Sequence, residues 1–458
     1  MMYFKQMVKE DLGCASYIVG CTSAGVCAVV DPRLDMVDDI LELAAAKGMR
    51  VTTVIETHNH ADHISGHGEI ARRTGAAISI HEQAQAEYAH HNLKDGDELD
   101  FGVTKVRVMH TPGHRPEHIA LAVSDTSRSD DPWLVLTGDS LFIGDVARPD
   151  LAVSGEEGAD ALYDSIFGRL LRLEDGVEVY PAHVAGSLCG RGMNAKTSST
   201  IGFERKHNPA AMPRPRATFI ADMNANLPQR PPNMFNIVER NRGDYAHQGA
   251  PLVPMALDAL AFQREMESGA QVLDTRLPHQ FGEGHIPGAF QVSLRGSAFA
   301  TRVGFIAAPD RGLLLVVKDE RDLHDAITQL AVVGFDQVIG YLEGGMAAWQ
   351  EAELPVQQLR QLTVEELHAL KPSLTVVDVR DQGEWDEGHI HGAKHMPYYF
   401  LEQHIAELDR SHPMAVICGS GQRSSIASSI LQRHGFTELF NVAGGMDAWN
   451  RAEFETIC

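Results

Sequence analysis

Residues 57–63 read Thr-His-Asn-His-Ala-Asp-His, so His58, His60, Asp62 and His63 bring four potential metal ligands into one short segment. They follow the β-rich run Val51–Glu56, and a loop at a strand end can fold such a cluster onto one centre. Three further elements come in order. His110-Thr111-Pro112-Gly113-His114 puts a histidine on a Pro-Gly turn, and Gly138-Asp139 sets a carboxylate after the run Leu134–Thr137. Tyr180-Pro181-Ala182-His183 is the last. With 23 histidines in the chain, one strand-end histidine would mean little. Four such elements, each at a strand end, point to a metal site.

A second chemistry-bearing segment lies near the other end. Cys418-Gly419-Ser420-Gly421-Gln422-Arg423 stands between the strand-like run Met414–Ile417 and a helical pattern starting at Ser424. A strand-to-helix loop with two glycines can turn its backbone N–H groups inward, making an anion nest at a helix N-terminus. A thiolate there is stabilised and its pKa should fall. Cys418 is therefore the expected nucleophile and Arg423 its catalytic partner. Gly419, Ser420, Gly421 and Gln422 are expected to cradle the outer sulfur of a persulfide or a sulfite oxygen.

The elements that must position these groups are alternating strands and helices. An internal repeat fills the C-terminal half. Asp274-Thr275-Arg276 and Glu283-Gly284-His285-Ile286 return as Asp378-Val379-Arg380 and Glu387-Gly388-His389-Ile390, and Gly344-Gly345-Met346 returns as Gly444-Gly445-Met446. In the second copy Leu374–Val379 and Met414–Ile417 read as buried strands. Ile426, Ala427, Ile430 and Leu431 mark one face of a helix that Gly435 ends. Such alternation favours a parallel sheet with helices on both faces. The first copy has Val317 or Lys318 where the cysteine would fall, so it is expected to be a structural or docking module. In the N-terminal part Ile18–Val19, Ala28–Asp31 and Val51–Glu56 read as strands, with Met36–Lys47 an amphipathic helix between two of them. A stretch holding Pro209, Pro213, Pro215, Pro228, Pro231, Pro232, Pro251 and Pro254 should resist regular structure and wrap as a linker. The expected divisions are residues 1–205, the linker 206–254, the cysteine-free unit 255–355 and the cysteine-bearing unit 358–458.

The order His-x-His-x-Asp-His, Thr-Pro-Gly-His, Thr-Gly-Asp and Pro-Ala-His over residues 1–205 resembles the metallo-β-lactamase superfamily. That resemblance implies an αββα sandwich with the metal at one edge of its two sheets. Within the superfamily two ligand sets are open. A dinuclear zinc hydrolase would use His58, His60 and His114 at one ion, Asp62, His63 and His183 at the other, and Asp139 as the bridge. The alternative uses only His58, His114 and Asp139 for one Fe(II), leaving open positions for O₂ chemistry. His60, Asp62, His63 and His183 would then hold the ligands. The run Arg148-Pro149-Asp150-Leu151 resembles the Arg-x-Asp signature of persulfide dioxygenases, in which the arginine lies near the active site and can contact the thiol carrier. Gly186-Ser187-Leu188-Cys189-Gly190 and Ser199–Glu204 resemble the branch of that family fused to rhodaneses. The six-residue cysteine loop, with the repeated Asp-x-Arg, Glu-Gly-His-Ile and Gly-Gly-Met-x-x-Trp elements, resembles the rhodanese sulfurtransferases, giving two doubly wound α/β domains. The whole order resembles multidomain persulfide dioxygenase–rhodanese fusions.

The resemblance implies oxidation of a low-molecular-weight thiol persulfide by O₂ to sulfite, and sulfur exchange with sulfite or thiosulfate through Cys418. A zinc thioesterase of glyoxalase type with a rhodanese passenger, or a non-enzymatic sulfur sensor, are the alternatives. The formal net charge of −23 argues against nucleic acid and anionic membrane as partners. Six irregularly spaced cysteines suit a reducing compartment, and no apolar run is long enough to span a membrane, so a cytoplasmic protein is expected. The cysteine-free unit suggests an assembly role and a homo-oligomer.

Overall fold

Short runs rich in Val, Ile and Ala, each closed by a turn residue, become the strands that carry the site. The structure, a computed structural model, describes the whole chain except residues 186, 188, 191, 226, 228, 244–252 and 297. It divides into two compact units, Met1–Gly249 with Val332–Gly334, and Ala250–Ala331 with Phe335–Cys458.

In the first unit, two six-stranded sheets face one another. One runs in chain order from Met2–Lys9 through Cys14–Cys21, Val26–Val30, Arg50–Ile55 and Ala77–His81 to His91–Leu93. The other runs in reverse chain order from Ser199–Thr200 to Glu98–Phe101, with Thr104–His110, Ile119–Asp125, Leu134–Gly138 and Glu178–Pro181 between. Tyr17, Val19, Val30 and Ile55 of the first sheet interdigitate with Val106, Ile119, Leu121 and Leu136 of the second to form the inner core. The helix Val37–Ala46 covers the outer face of the first sheet through Val37, Ile40 and Ala44. Gly155–Tyr163 covers the second through Ala159 and Leu162. The layers are α-β-β-α, as the resemblance implied.

The proline-rich segment departs from its expected irregularity. It carries the helices Arg216–Asn224 and Met234–Arg242. Its prolines sit where a missing N–H costs nothing: Pro215 is the N-cap of the first helix, and Pro231 and Pro232 precede the second. Phe219 and Met223 join the core beneath Gly155–Tyr163. Pro228 and Pro251 lie outside the described residues.

The second unit contains two five-stranded parallel sheets of the same topology. Their strand orders are Met255–Leu257, Val338–Leu342, Leu313–Val316, Gln271–Asp274, Phe290–Gln291 and Arg360–Leu362, Leu439–Val442, Met414–Ile417, Thr375–Asp378, Lys394–His395. The repeated Asp-x-Arg element has one structural job in both copies. Arg276 grips Asp274 and the Gly284 carbonyl, and Arg380 grips Asp378 and the Gly388 carbonyl. Each arginine thus ties a strand end to the loop beyond the next short helix.

Candidate metal centre and cysteine loop

Three of the strand-end groups converge. His58, His114 and Asp139 are buried, and one ligand atom from each lies within 4.8 Å of the other two. His114 Nε2 stands 3.4 Å and His58 Nε2 3.9 Å from Asp139 Oδ2. The far side of each imidazole is fixed, which presents Nε2 to the centre. Thr57 Oγ1 donates to Asp31 Oδ2 at 2.8 Å, so it accepts from His58 Nδ1 at 3.0 Å. His114 Nδ1 donates to the Arg148 carbonyl at 3.0 Å. Asp139 N donates to His118 Nε2 at 2.8 Å, which orients the carboxylate from behind. Gly138, at φ +49°, lets that turn close, since a Cβ there would lie 2.5 Å from His118 Nε2.

The donor set fits a divalent ion. His114 Nε2 and Asp139 Oδ2 are buried with no hydrogen-bond partner, the condition of ligand atoms rather than of satisfied core groups. Burial, with neighbouring imidazoles, holds His58 well below the ordinary histidine value, and burial lowers His114, so both are neutral and able to ligate. Burial alone would raise the Asp139 carboxyl, but His183 holds it below the ordinary carboxylate range.

The other histidines of the motif are placed around this trio. His60 faces Asp31 and Glu56, at 3.3 and 3.6 Å, rather than the Asp139 carboxylate. His183 Nδ1 meets Asp139 Oδ1 at 2.6 Å while its Nε2 lies 2.6 Å from Asp62 Oδ2. Burial opposes charge on His183, yet the carboxylates of Asp139 and Asp62 raise it well above its ordinary value. His63 Nδ1 lies 3.2 Å from Asp62 Oδ1 and 3.6 Å from Cys14 Sγ. Cys14, Asp62, His63 and His183 thus form a second, mutually paired cluster. Cys14 belongs to no motif of the sequence; burial would raise its thiol, but His63 draws it down to about 7. Cys189 Sγ joins Asp139 and His183 in a further group, its thiol pushed up to about 12 by burial. Gly186 and Leu188 beside it lie outside the described residues.

Arg148 is buried rather than a surface partner. It forms two hydrogen bonds to Asp150, at 2.7 and 2.9 Å, while its carbonyl steadies His114. The Ser199–Glu204 segment acts through Glu204, which is buried and accepts from Gly144 N at 2.9 Å, Ser199 Oγ at 2.5 Å and Asn208 Nδ2 at 3.0 Å. It pins the loop that leads to Arg148. Asn241, on the helix Met234–Arg242, donates to the carbonyls of His60 and His63 at 2.9 and 2.8 Å. The segment read as a linker therefore braces the histidine loop.

At the cysteine loop, Cys418 directly follows the strand Met414–Ile417 and is fully buried. Gly421 N donates to its sulfur at 3.1 Å, and Ser424 Oγ lies 3.4 Å from it. Gly421, at φ +92°, provides the bend, and Gln422–Arg433 is the helix that follows. The terminal Gly-Gly-Met supports the loop from below: Met446 N and Asp447 N donate to the carbonyls of Cys418 and Gly419 at 2.7 and 2.9 Å. A Cβ on Gly445 would lie 2.2 Å from the Cys418 carbonyl oxygen, so only glycine allows this approach. Arg423 closes the loop onto Glu384 through two bonds of 2.5 and 2.6 Å and onto Asp381 at 3.0 Å. Glu384 does not stand out in the sequence, because the matching position of the first copy is Gln280 and carries no charge.

A metal-binding αββα domain followed by two rhodanese-like domains defines the class. The superfamily model for metallo-β-lactamases matches residues 10–183, and that for rhodanese-like domains matches residues 258–352 and 363–452. The chain belongs to the metallo-β-lactamase superfamily and carries two rhodanese-like domains behind that fold. The persulfide dioxygenase ETHE1 of Bos taurus is 28% identical over 206 residues, covering 45% of this chain and 74% of that protein. A hydroxyacylglutathione hydrolase of a Polaromonas species is 30% identical over 204 residues, covering 43% and 73%. A crystal structure of a metallo-β-lactamase from Staphylococcus aureus superposes with a TM-score of 0.67 at 28% identity, covering 74% of this chain and 98% of that one.

Proposed function

We propose that the chain oxidises a low-molecular-weight thiol persulfide to sulfite at a single Fe(II) held by His58, His114 and Asp139, and moves sulfane sulfur through Cys418. The observation that carries the first half is the buried convergence of His58, His114 and Asp139, while His60 faces Asp31 and Glu56 and Asp62 pairs with His63 and His183. An iron held by His58, His114 and Asp139 would supply the redox chemistry that joins O₂ to the persulfide sulfur. The protein's part is to hold the imidazoles neutral and aimed, through Thr57 and the Arg148 carbonyl, and to keep Asp139 ionised beside His183. The reaction consumes one persulfide anion, O₂ and water and yields thiol, sulfite and one proton.

Cys418 handles the remaining sulfur. Its thiolate attacks the outer sulfur of thiosulfate, the S–S bond breaks, and sulfite leaves with the bonding electrons; the cysteine persulfide so formed donates its outer sulfur to the next thiophile. Run in reverse, sulfite takes that sulfur and thiosulfate forms. The Gly421 N–H aimed at Sγ stabilises the thiolate throughout.

Oxygen uptake by iron-loaded protein with glutathione or coenzyme A persulfide, with sulfite and thiosulfate quantified, tests both halves. Wild type should consume O₂ and form thiosulfate. Cys418→Ser should consume O₂ at the same rate but release sulfite instead, and Asp139→Asn should lose O₂ uptake together with bound iron. Two zinc ions per chain, with hydrolysis of S-acyl thiols and no O₂ uptake in the iron-loaded protein, would return the site to the hydrolase reading.

A further inference from the structure

The cysteine-free domain keeps a cavity where its neighbour keeps the cysteine loop. Val317 directly follows the strand Leu313–Val316 as Cys418 follows Met414–Ile417. Each loop then has four residues before its helix, Arg321–Val332 in one copy and Gln422–Arg433 in the other. Val317 therefore stands at the place of Cys418, and this loop offers no thiol. A cavity of about 450 Å³ opens beside it, with Leu277, Gln280, Leu294, Arg295, Lys318 and Arg321 in its lining. That volume is in the range of pockets that take small molecules.

The two copies differ in charge at this place. Beside Cys418, the carboxylates of Asp381 and Glu384 hold Arg423 through three hydrogen bonds. The matching residues of the first copy are Leu277 and Gln280, neither of them charged, and Tyr399 is matched by Arg295. The loop also carries Lys318 where its neighbour has Gly419. The acids of this lining are already engaged: Asp319 accepts from Arg321 through both oxygens, and Asp322 pairs with Arg295. Arg276 is held by Asp274. Lys318 is exposed and forms no ion pair among the described residues, so the lining has one cation beyond those its carboxylates match. In a chain with a formal net charge of −23 such an excess is the exception. Arg295 and Arg321 are themselves 64% and 89% exposed, and ion pairs so open to water are weak. An oxyanion entering beside Lys318 can draw either guanidinium off its carboxylate, whereas Arg423 is closed on two carboxylates.

We propose that this cavity binds an oxyanion without reacting with it, either the carboxylate or phosphate end of a low-molecular-weight thiol or free thiosulfate. Lys318 and Arg295 hold the oxyanion by charge-assisted hydrogen bonds, and Leu277 and Leu294 give an apolar side for the rest of the ligand. The domain without a nucleophile is then a docking site for anions of the kind the chain handles, apart from the loop at which Cys418 would transform them. The choice of these ligands rests on the function proposed above, whereas the excess of cations in the lining does not.

Equilibrium dialysis of the full-length Cys418→Ser chain against thiosulfate, glutathione and coenzyme A tests this, since the substitution removes covalent reaction with thiosulfate at the other loop. At least one of the three should bind, and the hydrogen exchange it slows should fall on residues 317–323. Lys318→Glu should weaken that binding about tenfold or more, the effect of losing one charge-assisted contact and adding an opposing charge. Lys318→Arg should keep it. Both variants should melt with their parent, because Lys318 is exposed. Tighter binding of glutathione or coenzyme A would make the thiol carrier the ligand, and tighter binding of thiosulfate the inorganic anion. No binding of any of the three, or binding that Lys318→Glu leaves unchanged, would overturn the site. Lys318-dependent binding, in a protein whose wild type neither consumes O₂ with persulfide nor transfers sulfur, would uphold the site and overturn the function proposed above.

Discussion

His58, His114 and His118 are packed out of water beside other imidazoles, and each is held below its ordinary value by that burial, His118 at about 4. The unfolded chain takes up their protons as pH falls through about 6.5, while the folded protein does so only lower down. Each therefore removes stability between those limits, on the order of 3 kcal/mol for His118 by pH 4. His63 and His183 act in the opposite sense. Burial would lower both, but Asp62 and Cys14 raise His63 to about 10, and Asp139 and Asp62 raise His183 further. Their contribution is complete below about pH 6.5 and is lost as pH rises through the folded values. The metal-free protein should thus unfold at a lower urea concentration as pH falls from 6.5 to 4.5. A midpoint that holds or rises as pH falls over that range would show that the buried imidazoles are not kept neutral by the fold.

The helix Ile201–His207 places Glu204 where it accepts from Gly144 N and Asn208 Nδ2 inside the protein. Removing the carboxylate leaves the Gly144 N–H without that acceptor, at a cost of about 1–3 kcal/mol, while Asn208 Nδ2 keeps the Phe142 and Asp145 carbonyls. It also loosens the loop that ends at the Arg148 carbonyl, the acceptor for His114, and lost outer support of this kind weakens metal binding about 10- to 100-fold. Glu204→Ala should therefore lower both the melting temperature and the iron affinity measured against a chelator, and Glu204→Gln should recover most of each. A variant that melts early but binds iron as tightly as wild type would limit Glu204 to packing. Elements of this kind also show what a sequence can and cannot display. The strand-end histidines are legible because each motif is local: Val51–Glu56 and Leu134–Thr137 announce the strands, and the ligands follow within a few residues. The strand Met414–Ile417 has the limits read from its apolar run. Asp31 and Asn241 are not legible, because each reaches the site from a distant segment as a single polar residue. Asp31 has one local mark, a non-glycine φ of +47° at a strand end, and backbone angles are invisible in a sequence. The helices of the proline-rich segment are hidden for a related reason. Proline breaks a helix only from its interior, and here the prolines stand before the helices that Phe219, Met223, Met234 and Ile237 bury.

At the scale of the molecule, the chain holds separate cores that report on separate chemistries. The cores between and outside the facing sheets belong to the first unit, and the one built on Leu367, Ile417, Val442 and Trp449 belongs to the second. All the proposed metal donors lie in the first unit and Cys418 lies in the second. A ligand that binds only folded protein stabilises the unit that holds it by RT ln(1 + [L]/Kd), about 4 kcal/mol at a thousandfold excess over Kd. Calorimetry should then resolve two transitions, of which only one moves down when a chelator removes the metal. Tryptophan identifies them, because Trp133 is in the first unit and Trp349, Trp385 and Trp449 are in the second. Trp349 and Trp449 are fully buried, whereas Trp133 is 46% exposed, so the large change in emission should accompany the transition that the chelator leaves in place. If chelation shifts the tryptophan-detected transition by the same amount as the other, the two units unfold as one cooperative body, and loss of metal would disable sulfur transfer by unfolding rather than by withholding sulfite.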